Sequence, residues 1–352
     1  MSRSGDHVIG IDLGATKILV AAFGLGEGEL RQPALAQVKV RTPADEGSEA
    51  LVDALVGAVD EVRGLVAREG GAGLCRGVGV AVPGPLDRAR GIVRYTPNLG
   101  LEDFPLAARL GERLGLSVAL ENDVQAGVYG ELRAGALRGR RSAVGIFVGT
   151  GVGGALVIDG RLYRGSTGSA GEIGHMIVHE GGPLCGCGNY GCLEAHASRS
   201  ALAKDALGLA ASGKAPAMLE AAGLNYKRYR SSAIAEALEA KDRAIEKAVD
   251  RSAFWLGVGM ANLVNILNPE AIVLGGGVVA RFGKRYLEGA SAAMAARLMP
   301  GLAASVTVLL SELQDLAVPA GAALRAAEAA GVPGWEAPEG AAPVEGRKKR
   351  KG

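Results

Sequence analysis

Two apolar stretches, each interrupted by a short glycine-rich turn, stand out in the hydrophobic pattern of the chain. Residues 7–23 and 142–159 each predict a strand, a turn and a second strand, and segments 9–14 and 144–149 align as a weak internal repeat. Apolar runs separated by turn residues in this way are typical of β-hairpins. A hairpin that opens each half of the chain predicts two similar α/β domains facing a cleft.

Apolar spacing elsewhere predicts helices and short buried strands. Leucines and valines recur at helical spacing across residues 48–68, and residues 199–267 are predicted to be mostly helical, with a buried helix at 253–267. Shorter apolar runs predict strands at 77–82, 118–121, 271–274 and 306–310, and helices at 124–134 and 319–330. This mixture of buried strands and helices predicts the α/β class.

The composition narrows the classes of function. The 352 residues are enough for two domains, the net charge is only +2, and aromatic residues make up 4% of the chain. Such a charge gives no global attraction to nucleic acid or membranes, and few aromatics argue against a base-stacking surface. No apolar run reaches the roughly 18 residues of a membrane span, and no N-terminal segment suggests export. We therefore expect a cytoplasmic protein.

The most specific chemical pattern lies in residues 171–194. One imidazole and three thiolates have the spacing His-x9-Cys-x-Cys-x4-Cys: His175, Cys185, Cys187 and Cys192. This set suits tetrahedral zinc, and four protein ligands predict one structural Zn²⁺. A disulfide with a spare thiol, or three small packing residues, are the alternatives, and a reducing setting favours the metal. Glu172 and Glu194 flank the set, which would place two carboxylates and an imidazole at the floor of a small-molecule site.

Many of the 55 glycines cluster at predicted strand ends, which suits backbone that approaches a ligand. Two of these turns combine glycine with polar donors: Asp12, Gly14, Thr16 and Lys17 in the first, Thr150 and Gly151 in the second. Such groups can hold phosphates, and a carboxylate can hold Mg²⁺. Alone, each is more often a simple tight turn. As a pair they can grip a nucleoside triphosphate, and Gly275, Gly276 and Gly277 would leave room for its adenine or ribose.

Residues 121–123, with the sequence Glu-Asn-Asp, follow an apolar strand. Open α/β sheets bind ligands at the carboxyl ends of their strands, which makes Asp123 a candidate general base. Asp123 is equally well explained as a helix N-cap, since a helix is predicted directly after it. Asn98 is a candidate sugar ligand, although a turn residue after Pro97 is the favoured interpretation.

These motifs together resemble the ROK family of sugar kinases and repressors, within the hexokinase–actin–Hsp70 ATPase superfamily. The resemblance covers about residues 8–330 and rests on DLGATK at 12–17, VPGPLD at 82–87, END at 121–123, GTGVGG at 149–154, GEIGH at 171–175, CGCGNYGCLE at 185–194 and LGGG at 274–277. It implies two actin-like ATPase (ribonuclease H-like) domains flanking a cleft, with a zinc-binding loop at 175–192. We expect a first domain at 1–124, completed by a helix at about 317–332, a second at 125–316, and a disordered basic tail at 333–352.

The resemblance also implies roles for individual residues. Those matching His175 and the three cysteines bind zinc in the family, and the residue matching Asp123 is its catalytic base. Contacts with the sugar are implied for Asn122, Asp123, Glu172, His175 and Glu194. The implied reaction is phosphorylation of a hexose at its primary hydroxyl by ATP with Mg²⁺, with glucose as the first candidate.

Several points stay open at the level of sequence. Other hexoses and N-acetylhexosamines are alternative substrates, polyphosphate is an alternative donor, and a non-catalytic sugar-sensing regulator is the competing class. Only a few residues precede the first strand, so we expect the DNA-binding module of the family's repressors to be absent. The resemblance further implies a homodimer or tetramer. The cations at 347–351 predict a solvated tail, with capture of a polyanion as the alternative.

Overall fold

The computed structural model describes residues 5–68 and 73–335 of the chain. These residues form two compact α/β units: the first comprises 5–134, 164–170 and 315–335 with the gap noted, and the second comprises 135–163 and 171–314. Within the described residues, no helix is both long and apolar enough to cross a membrane. The basic segment at 347–351 lies outside the described residues.

The first unit combines eight strands and four helices among the described residues. Its elements are β1 (His7–Leu13), β2 (Lys17–Gly24), β3 (Ala36–Arg41), α1 (Ser48–Arg68), β4 (Cys75–Val82), β5 (Leu86–Asp87), β6 (Ile92–Thr96), β7 (Leu101–Phe104), α2 (Leu106–Leu114), β8 (Val118–Asn122), α3 (Asp123–Ala134) and, near the C-terminus, α10 (Ala317–Ala329).

The second unit is richer in helices. Its elements are β9 (Ala143–Val148), β10 (Val152–Ile158), β11 (Arg161–Tyr163), α4 (Glu194–Ala197), α5 (Arg199–Ala211), α6 (Pro216–Ala222), α7 (Ser231–Glu239), α8 (Arg243–Leu267), β12 (Ala271–Gly275), α9 (Gly277–Ala295) and β13 (Thr307–Leu310). The helix predicted at 253–267 forms the second half of α8 and contributes many of its buried residues.

The two main sheets repeat one topology. Their strand orders are β3-β2-β1-β4-β8 and β11-β10-β9-β12-β13. In each sheet the first three strands along the chain form an antiparallel meander, and the last two add in parallel. The internal repeat predicted from the two hairpins is therefore confirmed, because β1 and β9 occupy the same place in their sheets. A small sheet, β5-β6-β7, lies between β4 and α2 along the chain.

Glycines allow helix α10 to lie directly on the first sheet. An added Cβ at Gly10 of β1 would meet Pro319 O at 1.8 Å, and one at Gly79 of β4 would meet Ala322 O at 1.8 Å. On the other side of the contact, a Cβ at Gly321 of α10 would meet Ala126 O of α3 at 1.7 Å. These approaches are too close for any side chain, so they explain why α10 carries mostly alanine and is buried along its length.

The boundary between the units differs from the predicted one. We expected the first domain to end at residue 124, and the first compact unit extends to Ala134, with α3 packed against α10. Residues 164–170 also belong to the first unit, although the chain on both sides of them belongs to the second. The predicted tail began at residue 333, but Trp335 is still buried, at 2% exposure.

Candidate active site and metal centre

Two carboxylates, Asp12 and Asp123, belong to one edge of the first sheet. Asp12 lies near the end of β1 and Asp123 follows β8, and both strands run parallel to β4 between them. Burial, and then the charge of Asp123, raise the pKa of Asp12 to about 7, while Lys17 opposes the rise. This mutual repulsion means that a divalent cation would be stabilised here, and carboxylate oxygens are the ligands that Mg²⁺ prefers. The residues therefore fit the expected metal.

Asn122 and Asp123, at the junction of β8 and α3, accept different sets of backbone hydrogen bonds. Asn122 Oδ1 accepts hydrogen bonds from the backbone N–H groups of Val124 and Gln125, both at 3.1 Å, and so covers the first turn of α3. Asp123 Oδ1 accepts from Val124 N at 2.9 Å. The capping role proposed for Asp123 thus falls mainly on Asn122.

The turn between β1 and β2 is closed by its own backbone. Gly14 N donates to Lys17 O at 3.1 Å, and the buried Thr42 hydroxyl donates to Gly14 O at 2.7 Å. Thr16 and Lys17 are exposed, and Lys17 Nζ lies 4.0 Å from the exposed Asp315. The side chains of this turn that could donate hydrogen bonds to a phosphate are therefore accessible. Thr42 supports the turn, and the sequence pattern did not reveal it.

The turn between β9 and β10 is held against Glu194. Glu194 Oε2 accepts from Val152 N at 3.0 Å, and a Cβ added at Gly151 would meet the same oxygen at 2.2 Å. A side chain at residue 151 would therefore have to displace the Glu194 carboxylate. Glu194 Oε1 also lies 3.7 Å from Cys185 Sγ, so one side chain joins this turn to the predicted metal ligands.

The four predicted zinc ligands converge in the second unit. Their ligand atoms all lie within 4.8 Å of one another. Cys187 Sγ and Cys192 Sγ are 3.7 Å apart, and Cys185 Sγ lies 3.7 Å from His175 Nδ1. Tetrahedral zinc with bonds of about 2.3 Å to sulfur and 2.0 Å to nitrogen places such atoms roughly 3.6–3.8 Å apart. The donor set and its spacing fit zinc, and none of the four cysteines forms a disulfide.

Zinc ligation through Nδ1 would leave the other ring nitrogen of His175 pointing away from the thiolates. The ring is partly exposed and ends a short 3₁₀ helix, Ile173–His175. Glu172, directly before this helix, is exposed. The helix itself is fixed closely to β10, since a Cβ at Gly174 would meet Val152 O at 2.0 Å.

The glycines after β12 have a packing role. A Cβ at Gly275 would meet the Phe147 ring at 2.6 Å, and one at Gly276 would meet Val148 O at 2.5 Å. Gly276 also has a φ of 87°, a conformation that favours glycine, and Gly277 begins α9 with open space around its Cα. Contact with β9 therefore explains the first two glycines, and the nucleotide interpretation of all three stays a prediction.

Asn98 is placed as a turn residue. It is the exposed middle residue of a 3₁₀ turn, Pro97–Leu99, in which Leu99 is buried and which ends at Gly100 in the left-handed conformation. The turn interpretation is confirmed, and its role as a sugar ligand stays a prediction.

A buried ionic cluster around Glu121 was not predicted from the sequence. Glu121 is 1% exposed, its carboxylate accepts from Arg88 Nε, and it also accepts from Arg164 Nη2 at 2.6 Å and Arg325 Nε at 3.1 Å. Burial alone would raise the pKa of Glu121, but the guanidiniums of Arg325, Arg88 and Arg164 outweigh it and lower the pKa to about 2. Glu121 Oε1 also accepts from Asn122 N at 3.1 Å, so the cluster fixes the strand end directly before Asp123.

Known proteins are similar to this chain in sequence and in fold. A sequence model of the ROK family matches residues 8–329. A glucokinase from Halalkalibacterium halodurans is 34% identical over 274 residues, covering 77% of this chain and 80% of the relative. A xylose repressor from Caldicellulosiruptor bescii is 30% identical over 322 residues, covering 90% of this chain and 77% of the relative.

A solved structure of a ROK family protein is also similar to this chain. The ROK family glucokinase from Streptomyces griseus, in complex with glucose and AMPPNP, has a TM-score of 0.77 and 33% identity, and the match covers 92% of this chain and 99% of that one. The two units therefore have the actin-like ATPase fold. The chain belongs to the ROK family, whose sugar kinases and repressors are both among its relatives.

Proposed function

We propose that this protein is a sugar kinase that transfers the γ-phosphoryl group of ATP to the primary hydroxyl of a hexose, with glucose as the first candidate. The observation that carries the proposal is the position of Glu194, against both Gly151 of a candidate phosphate turn and Cys185 of the metal site. The proposed sugar ligand and the candidate phosphate turn are thereby part of one local structure. The similarity to glucokinases supports the same reaction.

Phosphoryl transfer needs positioning and charge stabilisation more than covalent chemistry. In the proposed mechanism, Asp123 accepts the proton of the attacking hydroxyl. Glu172 and Glu194 accept hydrogen bonds from sugar hydroxyls, and His175 offers the ring nitrogen that does not face the thiolates. Asp12 would hold Mg²⁺, which would supply positive charge against the phosphates. Zinc held by His175 and the cysteines would fix the aim of that imidazole.

A sugar-responsive regulator without kinase activity is the second candidate, favoured by the similarity to xylose repressors. The two functions share sugar binding and differ in turnover. The carboxylate pair Asp12 and Asp123 favours the kinase, because binding a neutral sugar gives no reason to bring together two carboxylates that repel each other.

Detection of ADP release tests the proposal. Purified protein with ATP and Mg²⁺ is assayed against glucose, mannose, fructose, allose, N-acetylglucosamine and N-acetylmannosamine, with water as the blank acceptor. We expect sugar-dependent ADP release, largest with glucose. Tight binding of a sugar by calorimetry, without sugar-dependent ADP release, would instead support the regulator.

A further inference from the structure

One arginine of the first unit contacts the chain on both sides of the candidate base. Arg88 lies directly after β5, and its side chain is 22% exposed. Its Nε donates to Glu121 Oε1, and its Nη2 donates to Gln125 Oε1 at 2.8 Å. Glu121 and Gln125 lie two residues before and two residues after Asp123. A single guanidinium therefore brackets the residue to which the proposed mechanism gives proton transfer.

Both partners of Arg88 are buried and bind the chain around Asp123. Glu121 is 1% exposed and Gln125 is 4% exposed. Glu121 Oε1 accepts from Asn122 N, and Gln125 N donates to Asn122 Oδ1, each at 3.1 Å. Residues 121–125 are thus joined to one another through Asn122 and through Arg88. A rotation of the backbone at Asp123 would break some of these bonds, so the network limits where its carboxylate can point.

The shape of arginine suits this double contact. A guanidinium is planar and presents five N–H donors in a rigid fork, so it can serve a carboxylate and an amide oxygen at once. Lysine is a compact charge on a flexible stem and cannot reproduce this geometry. Segment 164–170 holds the arrangement in place: Gln125 Nε2 donates to Gly168 O at 3.1 Å, and a Cβ added at Gly168 would meet Arg88 Nη1 at 2.9 Å.

Charge compensation of Glu121 does not depend on Arg88. Arg164 Nη2 and Arg325 Nε also donate to Glu121, at 2.6 Å and 3.1 Å, and both bonds go to Oε2. Replacing Arg88 therefore leaves the buried carboxylate paired with two guanidiniums, so we expect such variants to fold. What Arg88 adds is the side-chain connection from Glu121 to Gln125.

We propose that Arg88 is a positioning residue for the reaction, which aims the Asp123 carboxylate at the attacking hydroxyl by holding residues 121–125 at both ends. The inference rests on the proposed function, because Arg88 acts through the proposed base. A misplacement of about 1 Å at a reacting group can cost about 10²-fold in rate. A residue that acts only through Asp123 can therefore have a measurable effect on kcat.

Steady-state kinetics of Arg88→Lys and Arg88→Gln test the proposal. We expect kcat to fall about 10-fold in Arg88→Lys and further in Arg88→Gln, while the donor KM and the calorimetric sugar affinity stay near their wild-type values. Arg88→Lys keeps the charge, so it carries the test if Arg88→Gln does not fold. The matched control is Arg113, which forms an exposed ion pair with Asp53 at 2.8 Å in the same unit. Arg113→Lys and Arg113→Gln should keep the wild-type kcat.

A double mutant separates positioning from a general structural effect. Asp123→Asn removes the base, so adding Arg88→Lys should not lower the residual kcat further. Unchanged kcat in both Arg88 variants overturns the inference, as does a loss that multiplies with that of Asp123→Asn, and an active wild type leaves the proposed function standing in both cases. If the wild type shows no sugar-dependent ADP release, the proposed function fails and the inference fails with it.

Discussion

At the scale of single residues, Asn122 and Asp123 are neighbours with different tasks. Asp123→Asn keeps the shape of the side chain but cannot accept a proton at neutral pH. We expect kcat to fall on the order of 10²-fold or more, the usual size of a general-base effect, with sugar affinity largely kept. Asn122→Ala should instead lower the free energy of unfolding by about 1 kcal/mol, because it removes the cap of α3. Near wild-type kcat in Asp123→Asn would exclude Asp123 as the base.

Asp12 should make the metal-free protein less stable as pH rises. Its pKa is raised to about 7 in the folded protein, from an ordinary value of 3.8, so the folded state binds more protons than the unfolded state between these values. The free energy of unfolding attributable to Asp12 therefore decreases from about pH 4 to about pH 7. Asp12→Asn should flatten this decline and raise Tm at pH 8 without Mg²⁺, while lowering kinase activity. Thermal melts of the wild type and Asp12→Asn across pH measure this dependence. If the two proteins show the same pH dependence, the raised pKa of Asp12 is contradicted.

Glu121 should have the opposite effect from Asp12 on the pH dependence of stability, and it has a larger structural role. Its lowered pKa gives stability that is present above the ordinary pKa of 4.5 and lost as pH falls toward 2. Glu121→Gln removes the carboxylate shared by three guanidiniums, of which only Arg325 keeps another carboxylate partner named here, Glu328, and breaking such a buried arrangement typically costs about 3–5 kcal/mol. The exposed pair of Glu49 and Arg109 is the matched control, and Glu49→Gln should cost at most about 1 kcal/mol. Equal losses in denaturant unfolding would contradict the buried-pair argument.

At the scale of elements, periodic apolar segments were predictable and irregular ones were not. Helix α1 spans Ser48–Arg68, as its leucine and valine spacing predicts, and both hairpins form where the glycine turns place them. Strand β3 was missed although its residues alternate between polar and apolar, which is the pattern of a strand with one exposed face. Helix α9 was missed because Gly283, with a φ of 52°, interrupts it.

For the candidate site as well, residues within local motifs were predictable from the sequence and residues brought together by the fold were not. The predicted zinc ligands and Asp123 lie in motifs whose residue types and spacing indicate a chemical role. The partners of Glu121 could not be found in this way, because Arg88, Arg164 and Arg325 are far apart in the sequence and only the fold brings them to one carboxylate. Thr42 and Arg199 are similar cases, since each supports a turn that lies elsewhere in the chain.

Helix α10 provides a test of packing at this scale. A Cβ at Gly79 would meet Ala322 O at 1.8 Å, so Gly79→Ala must displace backbone, and such overpacking typically costs 1–3 kcal/mol. Gly57 is the control: it lies within α1 and has nothing within 4 Å of the added Cβ. Gly57→Ala should stabilise the protein by roughly 0.5–1 kcal/mol. Chemical denaturation measures both, and a stable Gly79→Ala protein would show that α10 does not lie on the sheet as described.

At the scale of the whole molecule, one duplicated topology carries different chemistry in its two copies. The first unit supplies carboxylates at the ends of β1 and β8, and α10 returns the chain to cover that sheet. The second unit adds the loop that carries the predicted metal ligands, between β11 and α4. Stability and sugar binding should therefore both depend on the loop, because Glu172, His175 and Glu194 lie within or beside it.

Stability and sugar binding should both depend on zinc, and replacing a single cysteine tests this. Cys187 is exposed, so as a simple surface residue its replacement by serine should change little. If Cys187 is a zinc ligand, its replacement should have a large effect. We expect about one zinc per wild-type chain. In Cys187→Ser, zinc content, Tm and sugar affinity should fall together, and the donor KM should change less. Cys75→Ser is the matched control, since Cys75 lies in the first unit and outside the ligand set. Zinc-free wild-type protein with full stability and activity, or a Cys187→Ser protein that matches the Cys75→Ser control, would contradict the metal site.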